Sequence, residues 1–181
     1  MTRPADYQLI VPEGWQRIDL QPGVREPALA RMVERQFRGA DGAAGLKSQA
    51  REQLLQIAGH AYRNGGLELY VSLQTAAGFP LPASLVVTLA PPHDNAAVAV
   101  TPERLAQALT AAGSQVTLTD IAAGRAVRVR RLAEAATLDI HVPVPDSGAY
   151  LMLSFSTPLT ALADAMVGLF DSIASTLRWV P

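Results

Sequence analysis

No cysteine occurs in the 181 residues. That excludes disulfides and thiolate metal sites, and it fits a reducing compartment. Lysine is almost as scarce: Lys47 stands alone, and every other basic side chain except histidine is arginine. With the abundance of alanine, this bias points to a GC-rich genome. Charge of one sign is lacking too, because the net charge is -1 and arginines interleave with acids along the chain. Binding nucleic acid needs concentrated cationic charge, so nucleic acid is excluded as the main partner. No run approaches the roughly 18 apolar residues of a membrane-spanning helix. The opening MTRPADYQLIVPEGW carries no apolar segment of the length a signal peptide needs. The expectation is a cytoplasmic protein without membrane insertion.

Motifs are missing as well. There is no GxxxxGK phosphate cradle, no GxGxxG fingerprint and no Gly-x-Ser-x-Gly elbow. Gly39, Gly42 and Gly45 are evenly spaced, but no strand leads into them, so they read as a linker. His60, His93 and His141 form no His-x-His or His-x-x-x-His pair, and no local metal spacing results. Neither a metal nor a cofactor is expected.

What is present describes a folded globular chain: 49% apolar and 17% charged residues. Its length suits one domain over 1–181. The most organised stretch is Leu67 to Leu89. Leu67, Leu69, Val71 and Leu73 alternate with Glu68, Tyr70, Ser72 and Gln74, and Leu85, Val87 and Leu89 repeat the pattern beyond a Gly- and Pro-containing connector. Alternation with period two is the mark of a strand, so this predicts an antiparallel pair at the centre of a sheet.

In chain order, Tyr7–Val11 and Trp15–Leu20 read as an N-terminal hairpin. Two helices follow, with apolar stripes at Leu29, Met32, Val33, Phe37 and at Leu46, Ala50, Leu54, Ile57, Ala58, Ala61. After the central pair, 91–100 reads as a loop, and Thr101-Pro102 opens a third helix. Four strands in a meander come next: 115–121, 125–132, 137–143 and 149–157. Thr157-Pro158 then starts a helix striped by Leu159, Leu162, Met166, Leu169, Phe170, Ile173 and Leu177. The fold class expected is α+β, with a mostly antiparallel sheet of about six to eight strands and helices on one or both faces. The expected core is Leu69, Val71, Leu85, Val87, Val129, Ile140, Leu153, Phe155, Leu162, Met166 and Phe170.

Pro12, Gly14 and Trp15, set after a short strand and followed by a late meander and a C-terminal amphipathic helix, resemble the PsbP-like or Mog-type α/β/α sandwich. That superfamily includes photosystem extrinsic proteins, a Ran GTPase-binding protein and many actinobacterial proteins. The resemblance implies an actinobacterial binding module with no shared catalytic residues, and an adaptor role in protein secretion.

For a partner site, Arg128 and Arg130 share one face of their strand, while Asp139 and His141 share one face of the next. If the strands pair with these faces aligned, the four side chains meet on an outward surface, with Tyr70 on a corresponding outward position. The expected function is therefore a non-enzymatic binding or accessory protein whose partner is another protein. The alternative is a small-molecule-binding protein or hydrolytic enzyme with a cleft near His93 and Asp94.

Overall fold

Alternation and turn chemistry give strands that pair almost wholly antiparallel, because most consecutive strands are joined by short turns. The computed structural model describes residues 6–39, 42, 44–76, 78–91, 100–110 and 113–180. It begins with β1 (Asp6–Gln8), β2 (Trp15–Asp19), α1 (Arg25–Gln36), α2 (Ala44–Arg63) and β3 (Gly66–Ser72). A small hairpin of β4 (Thr75–Ala76) and β5 (Phe79–Pro80) leads to β6 (Ser84–Ala90) and α3 (Pro102–Leu109). The meander is β7 (Ser114–Ile121), β8 (Gly124–Leu132), β9 (Ala136–Pro143) and β10 (Tyr150–Thr157). A 3₁₀ turn (Thr160–Leu162), α4 (Ala163–Ser175) and β11 (Arg178–Val180) complete it.

One seven-stranded sheet runs in the order β2-β3-β6-β10-β9-β8-β7, with β1-β11 and β4-β5 as separate pairs. The chain is thus α+β with a mostly antiparallel sheet, as its alternation predicts. The pairing of β3 with β6 is the one expected from Leu67 to Leu89, with Leu69 opposite Val86. β10, not that pair, lies in the middle of the sheet.

Helices cover both faces. On one face Tyr70, Leu85, Val87, Ile140, Leu153 and Phe155 form a core with Met166, Val167, Phe170 and Ile173 of α4. On the other, Ile18 and Leu69 pack with Leu29 and Met32 of α1 and Ala58 of α2. α1 lies against β2 and α2 against β3, while α3 lies on β7 and β8. The Arg125–Glu103 ion pair (3.0 Å) ties α3 to the side of β8 that carries Val127 and Val129. α1, α2 and α3 therefore share one face and α4 holds the other.

Three expectations change. The N-terminal hairpin does not form: β1 pairs with β11, Tyr7 opposite Trp179, and β2 pairs with β3. The final helix begins later than Pro158 implies. The 3₁₀ turn before it breaks the phase of the apolar stripe, and Leu162 is 48% exposed instead of buried. Val71 is half-buried; the other nine expected core residues are buried. One glycine is fixed by geometry. Gly65 ends α2 with φ +83, and a Cβ there would meet the Leu89 carbonyl oxygen at 2.9 Å.

Candidate functional site

The register of β8 against β9 separates the residues predicted to form one site. Arg128 stands opposite Ile140 and Arg130 opposite Leu138, whereas Val127 stands opposite His141 and Val129 opposite Asp139. Residues paired across a sheet share a face, so the two arginines lie on the α4 side and Asp139 and His141 on the α3 side. Arg128 donates from Nε and Nη2 to both carboxylate oxygens of Asp171 (2.8 and 2.9 Å), and Arg130 reaches Asp164 at 2.6 Å. Both acids belong to α4. Tyr70 and Ser72 are buried on that same side instead of facing outward. Asp139 pairs with Arg131 at 2.7 Å.

The α3 side is unevenly covered. α2 sits over β3 and α3 over β7 and β8, leaving β6, β10 and β9 between them without a described helix of their own on this face. From β3 to β8 is four strand spacings, about 19 Å. Helices packed side by side stand about 8–10 Å apart, so the gap is one helix wide. Its floor is Ser84, Val86, Met152, Ser154, Ser156, Asp139 and His141, all half-buried. Leu46, Ala50 and Ile57 recur at helical spacing on α2, on the flank turned away from Gly59, where the guanidinium of Arg25 from α1 lies. Leu46 and Ile57 are 62% and 55% exposed. Leu46 and Ile57, two of the six residues of the stripe predicted to bury α2, thus stay exposed, while Ala58 is buried and Leu54 and Ala61 pack on the core beneath α1 and α2.

A cavity of ≈ 220 Å³ opens at one end of the strip. Ala90, Pro91 and Val100 wall one side and Leu105 of α3 roofs it. His141, Tyr150 and Met152 come from β9 and β10, with Gly148 in their connecting turn. The Tyr150 hydroxyl donates to the Val100 carbonyl at 2.6 Å. Burial chiefly holds the His141 imidazole below its usual pKa of 6.5; Asp139 opposes this and Arg131 adds to it.

The unfolded imidazole takes up its proton near pH 6.5 and the folded one only at lower pH, so the unfolded state binds more protons between the two. Stability is full above pH 6.5 and is lost as pH falls below it. The groups facing His141 are Asp139, Arg131, Met152, Tyr150 and Leu105. In paired denaturant melts at pH 7.5 and 5.5, His141→Gln should lose less stability than the natural protein. Equal losses would show that His141 titrates normally.

A second polar cluster, absent from the site expected from the sequence, surrounds Glu68. Glu68, only 8% exposed, accepts the hydroxyls of Tyr7 (2.8 Å) and Tyr70 (2.7 Å) on Oε2 and the Arg17 guanidinium on Oε1. Burial first, and the bond to Glu68 next, drive both phenols well above the usual tyrosine range. Glu68 and Tyr70, two apart on one strand face, are the signal in the sequence. Tyr7 comes from β1, about sixty residues earlier, which no local pattern reveals. A cavity of ≈ 370 Å³ beside the cluster is lined by Asp6, Asp19, Gln21 and Tyr62 among others. Among the described residues, no group of three or more His, Cys, Asp or Glu is placed to hold a metal ion, and no helix is long and apolar enough to cross a membrane. His60 is exposed on α2; His93 and Asp94 lie outside the described residues.

No family model and no curated protein matches the chain. Solved structures similar to it include these two. One is cyanobacterial PsbP (CyanoP) from Synechocystis sp. PCC 6803, with a TM-score of 0.46 at 14% identity, over 96% of this chain and 86% of that one. The other is LpqN, involved in cell envelope biogenesis of Mycobacterium tuberculosis, with a TM-score of 0.47 at 13% identity, over 97% and 83%.

Proposed function

We propose that the protein is a non-enzymatic binding or accessory protein that docks another protein on the strip between α2 and α3. The observation that carries this is the one-helix gap over β6, β10 and β9, floored by serines and methionine and bordered by exposed Leu46 and Ile57. Exposed aliphatic side chains beside a mildly polar floor suit a partner that buries both. Arg128 and Arg130 drop out of the docking surface, because their guanidinium groups are engaged by α4. Of the rest of the site expected from the sequence, Tyr70 is buried on the α4 side as well, and Asp139 and His141 belong to the strip. An actinobacterial cytoplasm and a link to protein secretion complete this reading.

Ser154 lies at the middle of the strip and is half-buried. Ser154→Arg should fold normally and lose the partners that the natural protein captures from an actinobacterial lysate. Retention of all of them by a folded Ser154→Arg protein would place docking elsewhere. Capture of proteins unrelated to secretion would remove the secretion link while leaving the docking surface. Arg128→Glu with Arg130→Glu should instead loosen α4, since both new carboxylates would face Asp171 and Asp164.

A further inference from the structure

We propose that the cavity beneath α3 binds a small uncharged molecule, a single ring or short branched chain with one hydrogen-bonding group, and that His141 receives that group. Size sets the first limit. An apolar cavity of about 150 Å³ holds benzene, so ≈ 220 Å³ admits a ring with a short substituent. It falls short of the roughly 300–1,000 Å³ that drug-sized ligands fill. The polar groups set the second. The Tyr150 hydroxyl donates to the Val100 carbonyl, so its proton is spent and this residue offers its ring as a wall and at most an acceptor oxygen. Among the described residues His141 makes no hydrogen bond, and a neutral imidazole offers one donor and one acceptor.

Charge sets the third limit. Of the ionised groups around the cavity, Asp139 is paired with Arg131 and Glu103 with Arg125. A charged ligand would surrender its hydration and meet no charged side chain among the described lining residues, whereas an alcohol, phenol or amide loses little and bonds to His141. Burial keeps that imidazole neutral. The inference is independent of protein docking, since it needs only the cavity and not the strip.

Met152 lines this cavity, while Met166 and Met32 sit in the two cores; methyl-labelled methionine therefore gives one reporter and two internal controls. The probes are phenol, benzoate and benzylamine, which are neutral, anionic and cationic at pH 7.5. Phenol should shift the Met152 methyl resonance saturably at millimolar concentration and leave Met32 and Met166 in place. His141→Leu should weaken phenol about tenfold, the effect of one lost hydrogen bond. Ala90→Phe, filling the cavity, should abolish the shift; unchanged Met32 and Met166 signals show that the variant has folded.

Absence of a saturable Met152 shift overturns the site. Benzoate or benzylamine binding as tightly as phenol overturns the uncharged class, and phenol affinity unaltered by His141→Leu overturns the histidine's role. A shift that survives Ala90→Phe in the folded variant puts the molecule elsewhere and overturns the site as well.

Discussion

Phe170→Ala lowers the unfolding free energy by about 3–5 kcal/mol. Phe170 is fully buried on α4, and its ring stacks on that of Phe155, centroids 4.9 Å apart and planes 17° from parallel. Phe155 belongs to β10, the middle strand, hydrogen-bonded on both sides by β6 and β9. A strand held in that way cannot move to fill the space a lost ring leaves. The cost is therefore transfer of the side chain plus a cavity that stays open, with the aromatic pairing lost besides. Urea titration measures it as a displaced midpoint at unchanged slope. A loss below about 1 kcal/mol would show that α4 does not close the core.

The second large effect falls on a polar group. Glu68→Ala removes the acceptor shared by Tyr7, Tyr70 and Arg17. A buried donor left without a partner costs about 1–3 kcal/mol. Two phenols are stranded, so the expected loss is several kcal/mol. Arg17 adds little, because its side chain is 66% exposed and returns to water. Glu68→Gln keeps a carbonyl in place and should cost distinctly less. Tyr7→Phe loses one bond and should leave the sheet intact while β1 becomes the first segment cut in limited proteolysis. Equal stability of Glu68→Ala and the natural protein would mean that water satisfies the two hydroxyls.

Much of this architecture is legible in the sequence. The 67–89 pair, the four-strand meander and the Thr101-Pro102 helix start all depend on local alternation or local caps; Thr101 does accept the Arg104 N–H. Faces were harder to read. In the β8–β9 hairpin, Leu132 pairs with Ala136 across three turn residues, so even-numbered positions meet even-numbered ones. Arg128 thus shares a face with Ile140, not with His141. A change of one residue in such a turn reverses every side chain of the strand. Apolar alternation could not arbitrate, because helices cover both faces and Val127, Val129, Leu138 and Ile140 are all buried.

A signal for the arginines did exist in α4. Asp164 and Asp171 are seven residues apart, two turns on one flank of an otherwise apolar helix. Acids so placed ask for cations on the surface beneath. The β1–β11 pair is different in kind: three residues at each end of the chain carry too little pattern to announce a partner more than 170 positions away.

That terminal pair fixes how the molecule responds to force. Asp6 stands opposite Val180, so whatever is attached before the one and after the other departs from the same corner. Tension applied through these two points peels the ladder open one rung at a time, because the load falls on the outermost rung instead of being shared along the strands. The next ties in line are the Tyr7 hydroxyl on Glu68, the Trp179 indole on the Ala123 carbonyl and the Ile10 N–H on Thr176, and the seven-stranded sheet bears the full load once these have parted. The pair therefore acts as a weak mechanical link that gives way before the body of the fold.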